Sequence, residues 1–174
     1  MKTLARFFVI VIALISSSFT EKNQWVIDPE SQLTIYGSTN VNKFACTIDC
    51  YVGTDTLQFV RNYKAREIQF SKSQMTIPTR SFDCGSKQIS KDFWKTLKSE
   101  TYPHLEINFL SLQSVVMKNN SDVNGVVDIT LAGVTARYTI SYQVSQSRNT
   151  ILLKGSHRVS FADFNLQAPQ KLQG

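Results

Sequence analysis

The side chains in this sequence that are equipped for chemistry are few, and they begin with three cysteines, Cys46, Cys50 and Cys84. Three thiols make at most one intramolecular disulfide and leave one over. If Phe44, Cys46, Ile48 and Cys50 share one strand, Cys46 and Cys50 are separated by roughly 13 Å at the rise of an extended chain. A bridge needs Cα atoms within about 7 Å. The bridge is therefore expected to join Cys84, in the turn-like Phe82-Asp83-Cys84-Gly85, to Cys46 or to Cys50, with Cys46 the first choice.

Other reactive constellations are missing. The sequence has two histidines, His104 and His157, together with serines and aspartates, but no Gly-x-Ser-x-Gly stands around a serine to set up a nucleophile. There is no Cys-x-x-Cys and no Cys/His spacing that suits a metal. No glycine-rich loop is present to cradle a phosphate. Catalysis is not expected, and neither a cofactor nor a metal is called for.

Charge narrows the partners. Residues 1–20 read as an export leader: Lys2 and Arg6, an unbroken apolar run from Phe7 to Ile15, then Ser16-Ser17-Ser18-Phe19-Thr20. The run is too short to span a bilayer, so no membrane span is expected once the leader is cleaved. Without its two basic residues the formal charge falls from +6 to +4. The remaining cations are scattered, as at Lys91, Lys95, Lys98 and Arg137, so a nucleic-acid surface is not indicated. The mature chain reads as one domain over residues 23–168, large enough for a real core, followed by a tail at 169–174.

The elements that position these groups are mostly strands. Val123, Gly125, Val127, Ile129 and Leu131 share one parity; Val134, Ala136, Tyr138, Ile140, Tyr142 and Val144 do so after the break at Ala132-Gly133. This two-residue period predicts an antiparallel hairpin with one dry face. Further strands are expected at Trp25–Ile27, Leu33–Gly37, about Asn42–Val52 and Thr56–Val60. Another is expected from Ile68 through a bulge to Ile77, another from Leu105 to Met117, and a closing one from Ile151 to Phe161. Pro78 limits its strand to an edge or an end. A helix over Ser90–Ser99, capped by Ser90 with Asp92 in its first turn, carries the apolar stripe Ile89, Phe93, Leu97 and Trp94.

About eight strands joined by short turns make an all-β antiparallel barrel the expected fold, with the helix covering it. A barrel of about eight strands is near the smallest that holds a ligand.

Several stretches carry a family resemblance. Val26-Ile27-Asp28-Pro29-x-Ser31, Asp92-Phe93-Trp94 leading into Tyr102-Pro103-x-Leu105-x-Ile107-x-Phe109, Val123-x-Gly125-x-x-x-Ile129-Thr130-Leu131-x-Gly133-Val134-Thr135, and Val159-x-x-x-Asp163-Phe164 together resemble the YceI family. The resemblance covers roughly residues 23–168. It implies a lipocalin-like barrel in an exported bacterial protein, periplasmic or secreted, that holds a long isoprenoid or similar lipid. Glu30, Phe161 and Asn165 depart from the family pattern, where histidine, arginine and glycine are usual.

The residue pattern makes its own case for a ligand. Phe44, Ile48, Phe70, Met75, Phe109, Ile129, Tyr138, Ile140, Tyr142, Leu153 and Phe161, roofed by Phe93, Trp94 and Leu97, would line an apolar interior. His157 is the polar residue whose parity points inward, and with Tyr138 or Tyr142 it is the candidate for a lipid's polar head. The expected partner is an apolar lipid such as a polyisoprenoid or an isoprenoid quinone, bound by a monomer or homodimer. The rival expectation is a filled barrel that serves as a structural or protein-interaction module.

Overall fold

The computed structural model describes residues 23–38, 43–113 and 118–167. In chain order come β1 (Asn23–Val26), β2 (Leu33–Ser38), β3 (Lys43–Ile48), β4 (Thr56–Asn62), β5 (Glu67–Lys72), β6 (Gln74–Pro78), α1 (Lys87–Thr96), β7 (His104–Gln113), β8 (Ser121–Leu131), β9 (Val134–Ser147) and β10 (Thr150–Gly155). Eight strands form one antiparallel sheet in the order β1-β4-β5-β7-β8-β9-β10, with β6 beside β7. The sheet curls into a half-barrel. β2 and β3 form a separate hairpin. The all-β architecture with one covering helix is the expected one. β1 and β10 end the sheet, and among the described residues no ladder joins them.

The β8–β9 hairpin forms as its alternation requires. Leu131 pairs with Val134, Val127 with Tyr138 and Val123 with Tyr142. Ala132 and Gly133 both take positive φ, 51° and 77°, the geometry of a two-residue turn that matches strand twist. On the wet face Arg137 grips Asp128 through two hydrogen bonds of 2.7 and 2.8 Å. That contact holds the Asp128 carboxyl below the usual carboxylate range.

The bulge expected between Ile68 and Ile77 falls at Ser73. Its buried hydroxyl bonds the Phe109 carbonyl and the Asn108 side chain, and its carbonyl accepts from the Phe109 N–H at 3.2 Å. One interrupted strand thus lines up along β7 as β5 and β6. Pro78 ends it.

Several boundaries differ from the sequence reading. The helix starts earlier, with Ser86 as N-cap accepting from the Ile89 N–H. Gly85 at φ 77° turns the chain into it. Ser90 instead lies within the helix, where its buried hydroxyl accepts from the Cys84 N–H at 3.1 Å. Asp92 consequently sits in the second turn and accepts from Gln88 Nε2. The closing strand is also shorter, ending at Gly155 rather than running to Phe161. Ser160 and Asp163 form a capping box that starts a 3-10 turn over Phe161–Phe164, and this reciprocal bonding satisfies backbone groups that a strand would have left for a ladder. β3 likewise stops at Ile48, and the Tyr51 N–H turns to the Pro29 carbonyl.

The disulfide joins Cys46 to Cys84, and Cys50 is exposed and free. Beside the bridge Thr47 and Asp83 exchange backbone hydrogen bonds of 2.8 and 3.1 Å. Trp94 Nε1 donates to the Phe82 carbonyl at 3.1 Å. The bridge, this short ladder and the indole together fasten the helix to the β2–β3 hairpin. The leader (1–20), the tail (169–174), the start of the strand expected from about Asn42 and the 114–117 part of the strand expected to reach Met117 lie outside the described residues.

Candidate functional site

The inner face of the half-barrel is built in rows across β6 to β10. Met75, Ile107, Ile129 and Ala136 make one row, Phe109, Val127 and Tyr138 the next. Leu112, Gly125 and Ile140 follow, then Val123, Tyr142 and Gly155. Strand parity accounts for each member: every second residue of β8 and β9 faces the same way.

Two buried clusters stand at the ends of this face. Under the helix, Cys46, Ile48, Ile77, Phe82, Phe93, Leu97, Leu105, Phe164 and Leu166 pack together. At the other end Phe59, Ile68, Leu112, Val123 and Val144 form a second cluster, flanked by Trp25, Phe70, Tyr142, Ile151 and Leu153. Ring contacts carry the packing across, with Phe70 6.1 Å from Phe109 and 6.0 Å from Phe59.

The expected lining residues separate into three groups. Ile48, Phe93 and Leu97 are buried in the helix-side cluster. Phe44, Trp94, Ile129, Tyr138 and Phe161 pack against that cluster yet stay partly uncovered, as do Phe70 and Tyr142 at the far cluster. Phe109 and Ile140 belong to neither cluster and are half-buried between them. The result is an apolar trough with packed ends, half-covered between them except at Val127, which is 1% exposed.

His157 is not inside. Because β10 ends at Gly155, the residues after it leave the strand alternation, and His157 is exposed with its ring 5.0 Å from that of Tyr138. Val159 is likewise 44% exposed. This segment instead borders an open recess of about 690 Å³ lined by Arg158, Val159, Ser160, Phe161, Ala162, Asp163 and Leu166. The recess is a shelf beside Tyr138, whose hydroxyl donates to Asp163 Oδ2 at 2.9 Å.

Three tyrosines are shifted by their surroundings, Tyr138 and Tyr142 on the inner face and Tyr51 in the helix-side cluster. Burial, then the Asp163 carboxylate, pushes Tyr138 up to about 12. Burial alone does the same for Tyr142. Tyr51, which donates to Asp55, is raised to about 12 by burial first and by that carboxylate second. Folding favours the neutral phenol at all three, so their contribution to stability is whole below about pH 10, where free tyrosine titrates. It is lost as the pH climbs through about 12. The melting temperature should therefore fall between pH 10 and 12 while phenolate absorbance rises late. A native protein with its phenolate signal complete by about pH 11 would contradict this.

Asp163 went unread as a site residue. Its place beside Phe164 in sequence is visible, but the Tyr138 hydroxyl it meets is 25 residues away and no local signal links them. Phe82, Phe164 and Leu166 are also buried core residues outside any strand alternation.

Comparison with known proteins agrees with this geometry. The model of the YceI-like domain family matches residues 25–173. A crystal structure of the Campylobacter jejuni YceI protein superposes with a TM-score of 0.50 at 12% identity, over 93% of this chain and 85% of that one. Burkholderia cenocepacia BcnA gives a TM-score of 0.49 at 16% identity, over 80% of this chain and 72% of its own. No curated protein matches. At these identities the C. jejuni structure speaks to fold alone, whereas the family model spans nearly the whole described chain. The chain belongs to the YceI-like domain family.

Proposed function

We propose that this protein is an exported, non-catalytic carrier that holds a long apolar molecule of isoprenoid character along the trough. One observation carries the reading. Ile107, Phe109, Ile129, Ala136, Tyr138, Ile140 and Tyr142 face inward on β7, β8 and β9, yet all are only partly covered. A filled barrel would bury them. A chain laid along the rows gains roughly 0.8 kcal/mol for each CH₂ removed from water, so a dozen such groups gain about 10 kcal/mol before ordering costs.

Export fits the disulfide, which persists in oxidising compartments, and the periplasm or the extracellular space is the proposed location. No helix among the described residues is long and apolar enough to cross a membrane. The family membership supports binding rather than catalysis.

Extraction of the purified protein with organic solvent, followed by mass spectrometry, tests the proposal. The expected result is a long-chain apolar molecule at close to one per protein. A clean extract from a protein that also fails to take up a fluorescently tagged geranylgeranyl chain would overturn it.

A further inference from the structure

We infer that the outer face of α1 docks this protein onto an anionic phospholipid surface, with lipid phosphates received between Arg80 and the lysines of the helix. Such docking rests on the carrier reading and adds to it the place where the apolar cargo is taken up and delivered.

The cations involved are dispersed along the chain, and the fold gathers them. In α1, Lys87, Lys91 and Lys95 recur at every fourth residue and form one exposed row, about 12 Å long at the helical rise. The opposite face carries Ile89, Phe93 and Leu97 to the helix-side cluster, so the row points away from the protein. Lys98 follows just past the helix end. The turn at Gly85 brings the preceding segment back beside the helix, where the Trp94 Nε1 bond to the Phe82 carbonyl fastens it. Arg80 thereby joins Lys87, Lys91 and the half-buried Trp94 in lining one groove of about 360 Å³.

Opposing charge is weak at this face. Lys87, Lys91 and Lys95 have no ion-pair partner among the described residues. Arg80 reaches Glu100 only at 3.9 Å, with both side chains largely exposed, a contact that water screens. Asp83 is the acidic group of the groove, and its Oδ1 accepts from the Gly85 N–H at 2.9 Å. Asp92 stands to one side of the row and accepts from Gln88. Arg80, Lys87, Lys91, Lys95 and Lys98 thus outnumber Asp83, Asp92 and Glu100 by two.

The layout favours a membrane over a single anion. A row of cations on a helix face meets a plane of fixed negative charge along its whole length, and each lysine or arginine near such a plane tightens attachment about fivefold. Trp94 adds an aromatic ring beside the row, suited to the boundary where phosphates give way to hydrocarbon. The row also lies on the element that covers one end of the trough. A docked protein therefore holds that end toward the bilayer in which an apolar chain dissolves.

The test is sedimentation of the purified protein with vesicles of phosphatidylcholine alone or with roughly 30 mol% phosphatidylglycerol. The protein should bind the anionic vesicles, ignore the neutral ones, and come off as salt is raised. Lys87→Gln/Lys91→Gln/Lys95→Gln should bind about 100-fold more weakly at an unchanged melting temperature. Lys64→Gln/Lys72→Gln/Lys154→Gln removes the same charge at exposed positions outside α1 and should bind like the wild type. A wild type that ignores anionic vesicles, undiminished binding by the helix variant, or equal loss in both variants would overturn the docking. So would release by inorganic phosphate at constant ionic strength, which would mark a free-phosphate site, or equally tight binding to poly-glutamate, which would mark an acidic protein partner. The carrier reading is judged separately, by the solvent extract, and survives each of these results.

Discussion

Removing the Cys46–Cys84 bridge lowers the melting temperature by roughly 8–16 °C. The bridge spans a sequence separation of 38 residues, and closing a loop of that length restricts the unfolded chain by about 4 kcal/mol on the loop-entropy account. For a domain of this size each kcal/mol moves the melting temperature by about 2–4 °C. The loss should begin at the helix. The Cys84 segment presents the Phe82 ring to Phe93 at 5.7 Å and the Phe82 carbonyl to Trp94, so releasing it loosens the packing that seats α1. The check is calorimetry of the Cys46→Ala/Cys84→Ala protein together with hydrogen exchange in Lys87–Thr96, which should quicken more than exchange in β8. Cys50→Ala is the control and should melt like the wild type, since that thiol is exposed and unbridged. A double variant that melts within about 3 °C of the wild type would show that Thr47, Asp83 and Trp94 hold the segment without the sulfurs.

Parity made the half-barrel legible and left its degree of closure unreadable. From Val134 to Val144 every second side chain is apolar, and a strand has no other way to present that pattern than one dry face and one wet face. The same alternation runs on from Ile151 to Phe161 in sequence, yet the chain abandons it after Gly155. There the Ser160–Asp163 capping box and the Tyr138–Asp163 bond offer the backbone and the carboxylate partners that a strand would not. His157 was misplaced for that reason. The helix start failed on a smaller ambiguity: Ser86 and Ser90 are both good caps, and the positive φ of Gly85, a property of the folded turn, selects the first. Strand geometry set a Cys46–Cys50 bridge aside on the premise that both lie on one strand, whereas β3 stops at Ile48, and the Thr47–Asp83 ladder that brings Cys84 to Cys46 is a long-range contact. The same limit applies to the lining. Ile48 and Ile140 carry the same side chain in equally apolar alternations, and only the packing of α1 on β3 makes one a sealed core residue and the other part of an open surface.

That difference yields the largest functional effect. Ile140→Lys should abolish ligand retention, weakening binding of a long isoprenoid by about 100-fold, or close to 3 kcal/mol, while costing less than about 1 kcal/mol in folding stability. Ile140 lies midway along the trough, faces Gly125 across the β8–β9 ladder, and belongs to neither buried cluster. Its partial exposure gives a lysine stem room to lie along the trough and its ammonium a route to water, so the fold tolerates the change. A bound hydrocarbon has no such freedom: the ammonium and its water displace three or four methylene contacts, each worth roughly 0.8 kcal/mol. Thr139→Lys, one residue earlier on the exposed face of the same strand, adds the same charge and should leave retention intact. Both variants are read by urea unfolding and by solvent extraction of the purified protein. Ligand loss from Ile140→Lys alone places the ligand on the inner face. Equal retention in both variants would mean that no apolar chain runs past Ile140, and equal loss would mean that net charge, not the trough, governs uptake.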